Sequence, residues 1–261
     1  MAVEPSWLLF AALFGAVIGS FLNVCIYRIP QGASVVSPPS KCPFCGASVR
    51  FYDNIPLVSY LVLRGRCRSC GSSISPLYPL VEALTAFFAA ALMVRFGPGA
   101  DFLVYFAFVS SLIVVTFIDL RLKIIPDVIS LPGIVAGVAA SFFTASGPGP
   151  LDSVAGALLG GGVLLAVACG YYWATGYEGM GGGDVKLLAM IGAFTGWRGA
   201  VVALFAGSLA GALLGVVLMA LLGKDGKFAV PFGPFLSLGA VFYIFFGDLV
   251  VDLYVGAVWP G

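Results

Sequence analysis

Eight apolar stretches, near 7–28, 78–94, 102–118, 128–145, 152–175, 185–197, 199–222 and 233–256, take up most of this chain. A helix needs ~20 predominantly apolar residues to cross a hydrocarbon core. Within that core every backbone N–H and C=O must be bonded inside the segment. The reading is therefore all-α: a polytopic membrane helical bundle of about eight transmembrane helices. Charge content agrees, since only 10% of the 261 residues are Asp, Glu, Lys or Arg, against roughly 25% in a soluble domain. The sixth stretch, of about 13 residues, gives only ~20 Å of helix, so it starts inside the membrane or borders a wet cavity. The first, Trp7 to Ile29, follows Glu4 with no basic residue ahead of it, which favours a retained helix over a cleaved signal.

One segment differs in kind. Pro30 to Leu77 is rich in Pro, Ser, Cys and Gly and carries Lys41, Arg50, Arg64, Arg66 and Arg68 against the single acid Asp53. By the positive-inside rule this loop is cytoplasmic and the N-terminus lies outside. Alternation over eight spans then puts Arg28, Arg121, Lys123, Lys186, Lys224 and Lys227 on the same side, leaving Arg95 and Arg198 outside.

Inside this loop, Cys42-Pro-Phe-Cys45 and Cys67-Arg-Ser-Cys70 form two CxxC pairs 21 residues apart. Two such turns supply the four thiolates of a tetrahedral structural zinc site with no open position. Gly46 and Gly71 follow the pairs and provide the left-handed residue such a turn needs. Redox-active pairs or free structural thiols are the alternatives; disulfides are disfavoured in a cytoplasmic loop. Cys25 and Cys169 fall in apolar spans and read as buried small hydrophobes.

The formal net charge of +1 leaves no basic excess to displace phosphate counterions, so a nucleic-acid partner is not expected. The chain has no histidine, which removes Ser-His-Asp and Cys-His catalysis and histidine metal ligation. Hydrolysis would have to rest on carboxylates.

Acids within or beside apolar spans are costly and point to function. Asp101 and Asp152 open their spans, where helix capping is a sufficient reason; Asp248 and Asp252 fall on the outer side. Toward the cytoplasm lie Asp53, Glu82, Asp119, Asp127, Glu178, Asp184 and Asp225. Asp119 ends the third span and Asp184 opens the sixth, after Gly181, Gly182 and Gly183. These spans run in opposite directions, so both carboxyls lie at one membrane face. Two adjacent carboxyls tend to share a proton, one activating water and the other donating to a scissile carbonyl. Glycines before Asp184 leave room for a substrate in extended form; a flexible loop with an N-cap is the plainer reading of those glycines alone. Asp127, after Pro126, is the rival of Asp119 and otherwise an N-cap. Lys186 tunes the Asp184 charge or anchors the span on the positive side. Glu82 is expected to pair with a loop arginine.

Gly156 and Gly160, and Gly207, Gly211 and Gly215, recur at every fourth position, the spacing of close helix seams in lipid. A proton-coupled transporter would place acids near mid-span and show repeat symmetry; neither is present in the sequence.

Several motifs, in order, give the chain a family resemblance: Gly19-Ser-Phe-Leu-Asn-Val-Cys-Ile-Tyr-Arg-Ile-Pro30, the two CxxC pairs with Asn54-Ile-Pro-Leu-Val-Ser-Tyr60 between them, Tyr78-Pro-Leu-Val-Glu82, Ile118-Asp119 with Pro126-Asp127, Gly181-x-Gly183-Asp184 and Pro231-Phe-Gly-Pro234. The chain resembles the type IV prepilin peptidases, GxGD-type membrane aspartic proteases of the bacterial inner membrane. The resemblance implies an endopeptidase that removes the leader of prepilins and pseudopilins after a glycine on the cytoplasmic side. It also implies N-methylation of the new N-terminus with S-adenosylmethionine. It puts catalysis on Asp119 and Asp184, and associates methylation with the cysteine loop and Gly65. A peptidase that has lost methylation is the alternative. The expected organisation is a first membrane helix at 1–29, a zinc loop that walls the methyl-donor pocket at 30–77, and a seven-helix membrane peptidase domain at 78–261.

Overall fold

The computed structural model describes residues 3–177, 179–222 and 231–258, so Glu178, Lys224, Asp225 and Lys227 lie outside the described residues. Eight helices follow in order: α1 (Pro5–Arg28), α2 (Val58–Val62), α3 (Leu77–Phe96), α4 (Ala100–Leu122), α5 (Asp127–Ala140), α6 (Pro150–Thr175), α7 (Gly182–Leu222) and α8 (Gly233–Val258). Among the described residues the only extended pairing is two isolated bridges in the cysteine loop. Six helices are long and apolar enough to cross a membrane, and Asp127–Ala140 is a shorter apolar one. The eight apolar stretches all form helix, and the fourth is shorter than a span. The fourth gives the 14 residues of α5, ~21 Å long. The sixth and seventh are two helices that meet at Gly196, whose φ of 72° is non-helical, and α7 denotes the pair. That left-handed residue is open to glycine at little cost.

The helices start and stop where local chemistry dictates. Proline sits in the first turn of α1 and α6, where its missing N–H costs nothing. Gly176, at φ 73°, closes α6 with its N–H on the Tyr172 carbonyl, a left-handed cap. Asp152 lies in the first turn of α6, but Gly149 holds the cap position and no side chain caps it. The expected capping role is therefore not what Asp152 performs.

Two compact units divide the chain, Met1–Val114 and Val115–Gly261. In the first, α1 lies against α3 with almost no side chain between them: a Cβ on Gly15 would sit 2.6 Å from Ala89 Cβ, and one on Gly19 2.7 Å from Glu82 Cα. In the second, Gly156 and Gly160 of α6 meet the α7 backbone at Gly192 and Leu188, and Gly207 of α7 meets α8 at Phe235. These are the close seams that the four-residue spacing predicts. Gly215 departs from the pattern, with nothing near it. Ser153 donates to the Ala193 carbonyl at 2.6 Å and pins α6 to α7. Cys25 is buried as expected, whereas Cys169 is exposed on α6; its helix face turns outward.

Candidate active site and cysteine centre

The second unit holds a carboxylate constellation. Asp119 occupies the last turn of α4 and is only 5% exposed. A buried acid at that end of a helix faces the negative pole of the peptide dipoles, so folding alone does not favour it. Its Oδ2 accepts the main-chain N–H of Gly233, at the start of α8, at 3.0 Å. A Cβ on Gly233 would lie 2.6 Å from that oxygen and 3.2 Å from Ile125 Cδ1. On the other side of Ile125 stands Gly183, where a Cβ would come within 2.9 Å of Ile125 Cβ. Ile125 is thus wedged between the two glycines, and Asp184, next to Gly183 in the first turn of α7, comes within electrostatic reach of Asp119. The two acids singled out by span parity are brought together.

Of the three glycines ahead of Asp184, Gly182 has open space at its Cβ position and Gly181 nothing nearer than 4.0 Å. Gly182 and Gly183 already belong to α7, and the Asp184 N–H bonds to the Gly181 carbonyl at 3.2 Å. Gly183 gives room to Ile125 rather than to open space. Lys186 does not pair with Asp184. Its Nζ lies 2.7 Å from both oxygens of Asp127, tying the start of α5 to the start of α7. Asp127 is the first residue of α5, Pro126 is the cap, and no side-chain cap bond forms. An ion pair, not capping, accounts for Asp127. The role of Gly233 leaves little trace in sequence: a main-chain donor has no side-chain signal, and proline on both sides of Phe232-Gly233 marks only a fixed turn.

The first unit holds the cysteine centre. The Sγ atoms of Cys42, Cys45, Cys67 and Cys70 all lie within 4.8 Å of one another, with Cys42 and Cys70 at 3.9 Å. A tetrahedral zinc with 2.3 Å bonds to sulfur sets its ligands ~3.8 Å apart, so the four thiols fit such an ion. The two knuckles repeat one pattern. Gly46 N–H bonds to the Cys42 carbonyl and Gly71 N–H to that of Cys67, both at 2.9 Å; Cys42 N–H reaches Ala47 and Cys67 N–H reaches Ser72, at 2.9 and 2.8 Å. Gly46 and Gly71 hold φ at 71° and 72°, as the spacing predicts. N–H groups of Cys45 and Phe44 draw the Cys42 thiol down to about 6, and the Ser72 hydroxyl, 3.1 Å from Cys70 Sγ, lowers that thiol too. Both effects favour the thiolate that a metal requires, whereas at Cys45 the Ala47 N–H is outweighed by burial and the neighbouring Cys70 and Cys42 sulfurs, which push that thiol up to about 11.

Gly65 sits at φ 65°, and a Cβ there would be 3.0 Å from the Tyr60 hydroxyl. Arg68 grips Asp53 through Nε and Nη2, at 2.9 and 2.6 Å, and lies over the Tyr52 ring, as does Arg50. That bond to Arg68 holds the Asp53 carboxyl below the usual carboxylate range.

Comparison with known proteins follows the two units. A family model described as bacterial peptidase A24 N-terminal domain matches residues 13–96, and one described as type IV leader peptidase family matches residues 106–216. Relatives from Pseudomonas putida and Aeromonas hydrophila, both named prepilin leader peptidase/N-methyltransferase, are 35% and 36% identical over 95% of this chain and 94% of their own. One of the same name from Myxococcus xanthus is 40% identical over 85% of this chain and 66% of its own length. No solved structure matches.

Proposed function

This chain belongs to the type IV leader peptidase family, and from that premise we propose that Asp119 and Asp184 are the pair that cuts prepilin leaders in it. The chain is a multi-pass membrane enzyme that cleaves prepilins and N-methylates the product. The observation that carries the assignment is the buried Asp119 carboxylate, oriented by the Gly233 N–H and close enough for its charge to act on Asp184. Gly233 engages Oδ2, which leaves Oδ1 for a water. Cleavage needs one carboxylate to take that water's proton and the other, carrying the proton the pair shares, to donate to the scissile carbonyl oxygen. No histidine is required, and none exists in the chain.

The substrates are prepilins and pseudopilins, cut after a glycine at the cytoplasmic face of the bacterial inner membrane, with the N-terminus of the enzyme outside. Cys42, Cys45, Cys67 and Cys70 hold one zinc, which supplies structural closure of the loop and no reactive position. S-adenosylmethionine, charged and water-soluble, is the methyl donor; it is reached through the cytoplasmic loop, where Gly65 fixes a turn against Tyr60. Lys186 and Asp127 support the peptidase site as a strut between α5 and α7.

Incubating purified enzyme with a pilin precursor and labelled methyl donor, and following leader loss and label by mass spectrometry, tests the reading. Cleaved product carrying one label is the expected result. An intact precursor would contradict it.

A further inference from the structure

Stretches of the first unit that proteolysis does not use meet at one buried carboxylate. Glu82 of α3 is 8% exposed. Its Oε2 accepts the Leu57 N–H at 2.8 Å, and the hydroxyl of Ser20, on α1, lies near enough to act on the same carboxylate. Ser20 Oγ also stands 3.5 Å from Oδ1 of Asn54, an exposed loop residue. One turn along α1, Asn23 donates to the Tyr78 carbonyl at 3.1 Å. Leu57 holds φ at 62°, a conformation that bulky residues adopt only under strain, and in it the N–H reaches Glu82. The loop arginine expected beside Glu82 is not there: among the described residues no Lys or Arg pairs with it, and the polar groups that act on it, Ser20 and the Leu57 N–H, are uncharged.

A buried carboxylate without a cation is costly to keep. A guest that brings a positive charge fits it. The chain's own first reaction makes such a guest, because peptide cleavage frees an α-amino group whose ordinary value, ~7.7–8.0, leaves it largely protonated at neutral pH. Methylation requires that group as the free amine.

We propose that Glu82 receives the α-ammonium of the cleaved pilin and takes its proton, making it a catalytic residue of the methyl transfer. The inference rests on the bifunctional reading above. The ammonium gives one proton to a Glu82 oxygen. The freed nitrogen lone pair attacks the methyl carbon of the sulfonium donor as the carbon–sulfur bond breaks. That bonding pair stays on sulfur, which leaves as a neutral thioether, and the product is a secondary ammonium. Glu82 then returns its proton to water. Ser20 and the Leu57 N–H hold the carboxylate in place throughout.

The test uses the full chain in detergent, with Glu82→Gln. Glutamine can accept from Leu57 and keep contact with Ser20, so it removes the charge and the base while preserving the anchor. Precursor and pre-cleaved pilin are separate substrates, and affinity for S-adenosylmethionine is measured by calorimetry. The expected result is a loss of methylation of ~100-fold or more, the worth of a general base, with cleavage and donor affinity within twofold of wild type. The deficit shrinks as pH rises past the amine's own value, where the nucleophile forms without a base. Methylation within threefold of wild type, a deficit that ignores pH, weakened donor binding, or joint loss of both activities and of the melting transition would each overturn the proposal. A wild-type enzyme that does not methylate pre-cleaved pilin would instead overturn the bifunctional reading, and that control is seen before any variant.

Discussion

The main-chain N–H of Gly233 donates to Oδ2 of Asp119 at 3.0 Å, across 114 positions of sequence. A turn flanked by Pro231 and Pro234 thereby fixes which oxygen of a buried acid is engaged by the main chain. The carboxylate is aimed by backbone, so the aim does not depend on a side-chain rotamer.

Gly233→Ala tests that aim. The added methyl would lie 2.6 Å from Oδ2, so Asp119 has to turn away. A small misplacement of a reacting group costs on the order of 100-fold in rate. Cleavage kcat is expected to fall by about that factor with KM little changed, while methylation of pre-cleaved pilin is retained. Wild-type kcat in the alanine variant would contradict the positioning role.

The Lys186–Asp127 pair is exposed on both sides, and such pairs contribute about 0.2–1 kcal/mol. Lys186→Ala and Asp127→Asn should each lower the melting temperature slightly and reduce cleavage only severalfold. The double exchange Lys186→Asp with Asp127→Lys should recover most of the loss. Complete inactivity of either single variant would mean that the residue acts in the chemistry itself.

Asp53 provides a pH test of the loop. Arg68 holds its carboxyl below the ordinary range, so folded Asp53 keeps its charge when an unfolded one has lost it. The stabilisation is full above ~3.9, the unfolded value, and disappears as pH falls through the lower folded value. Tyr52, stacked beside Arg68, reports the release. An acid titration of its fluorescence should show a step in wild type that Asp53→Asn lacks.

How much of this was legible in the sequence depends on the kind of group involved. Asp119 and Asp184 were found because apolar runs fix span direction, and direction fixes which ends share a membrane face. Gly46 and Gly71 stand out because a knuckle turn demands a left-handed residue directly after its second cysteine. What stayed hidden was set by main-chain groups and by distant partners. Nothing in the sequence says that the Gly233 N–H serves Asp119, that Glu82 meets Leu57 instead of an arginine, or that Lys186 reaches back 59 positions to Asp127. The break at Gly196, φ 72°, falls beside Trp197 and Arg198, where the sixth apolar stretch already gives way to the seventh.

Metal content is a direct reading of the cysteine centre. Purified enzyme should carry about one zinc, lost in Cys42→Ser or Cys67→Ser, with disorder confined to the loop, because a metal stabilises the fold only where its ligands lie. A metal-free enzyme with four titratable thiols would contradict the site.

Leader cleavage by Asp119→Asn and Asp184→Asn is the measurement that bears most directly on the proposed mechanism. Each amide keeps the size of the side chain and removes its capacity to take or share a proton. Both variants should insert in the membrane, methylate pre-cleaved pilin, and lose at least ~100-fold in cleavage of the precursor. An active Asp119→Asn alongside an inactive Asp127→Asn would contradict the account and move the catalytic pair to Asp127 and Asp184.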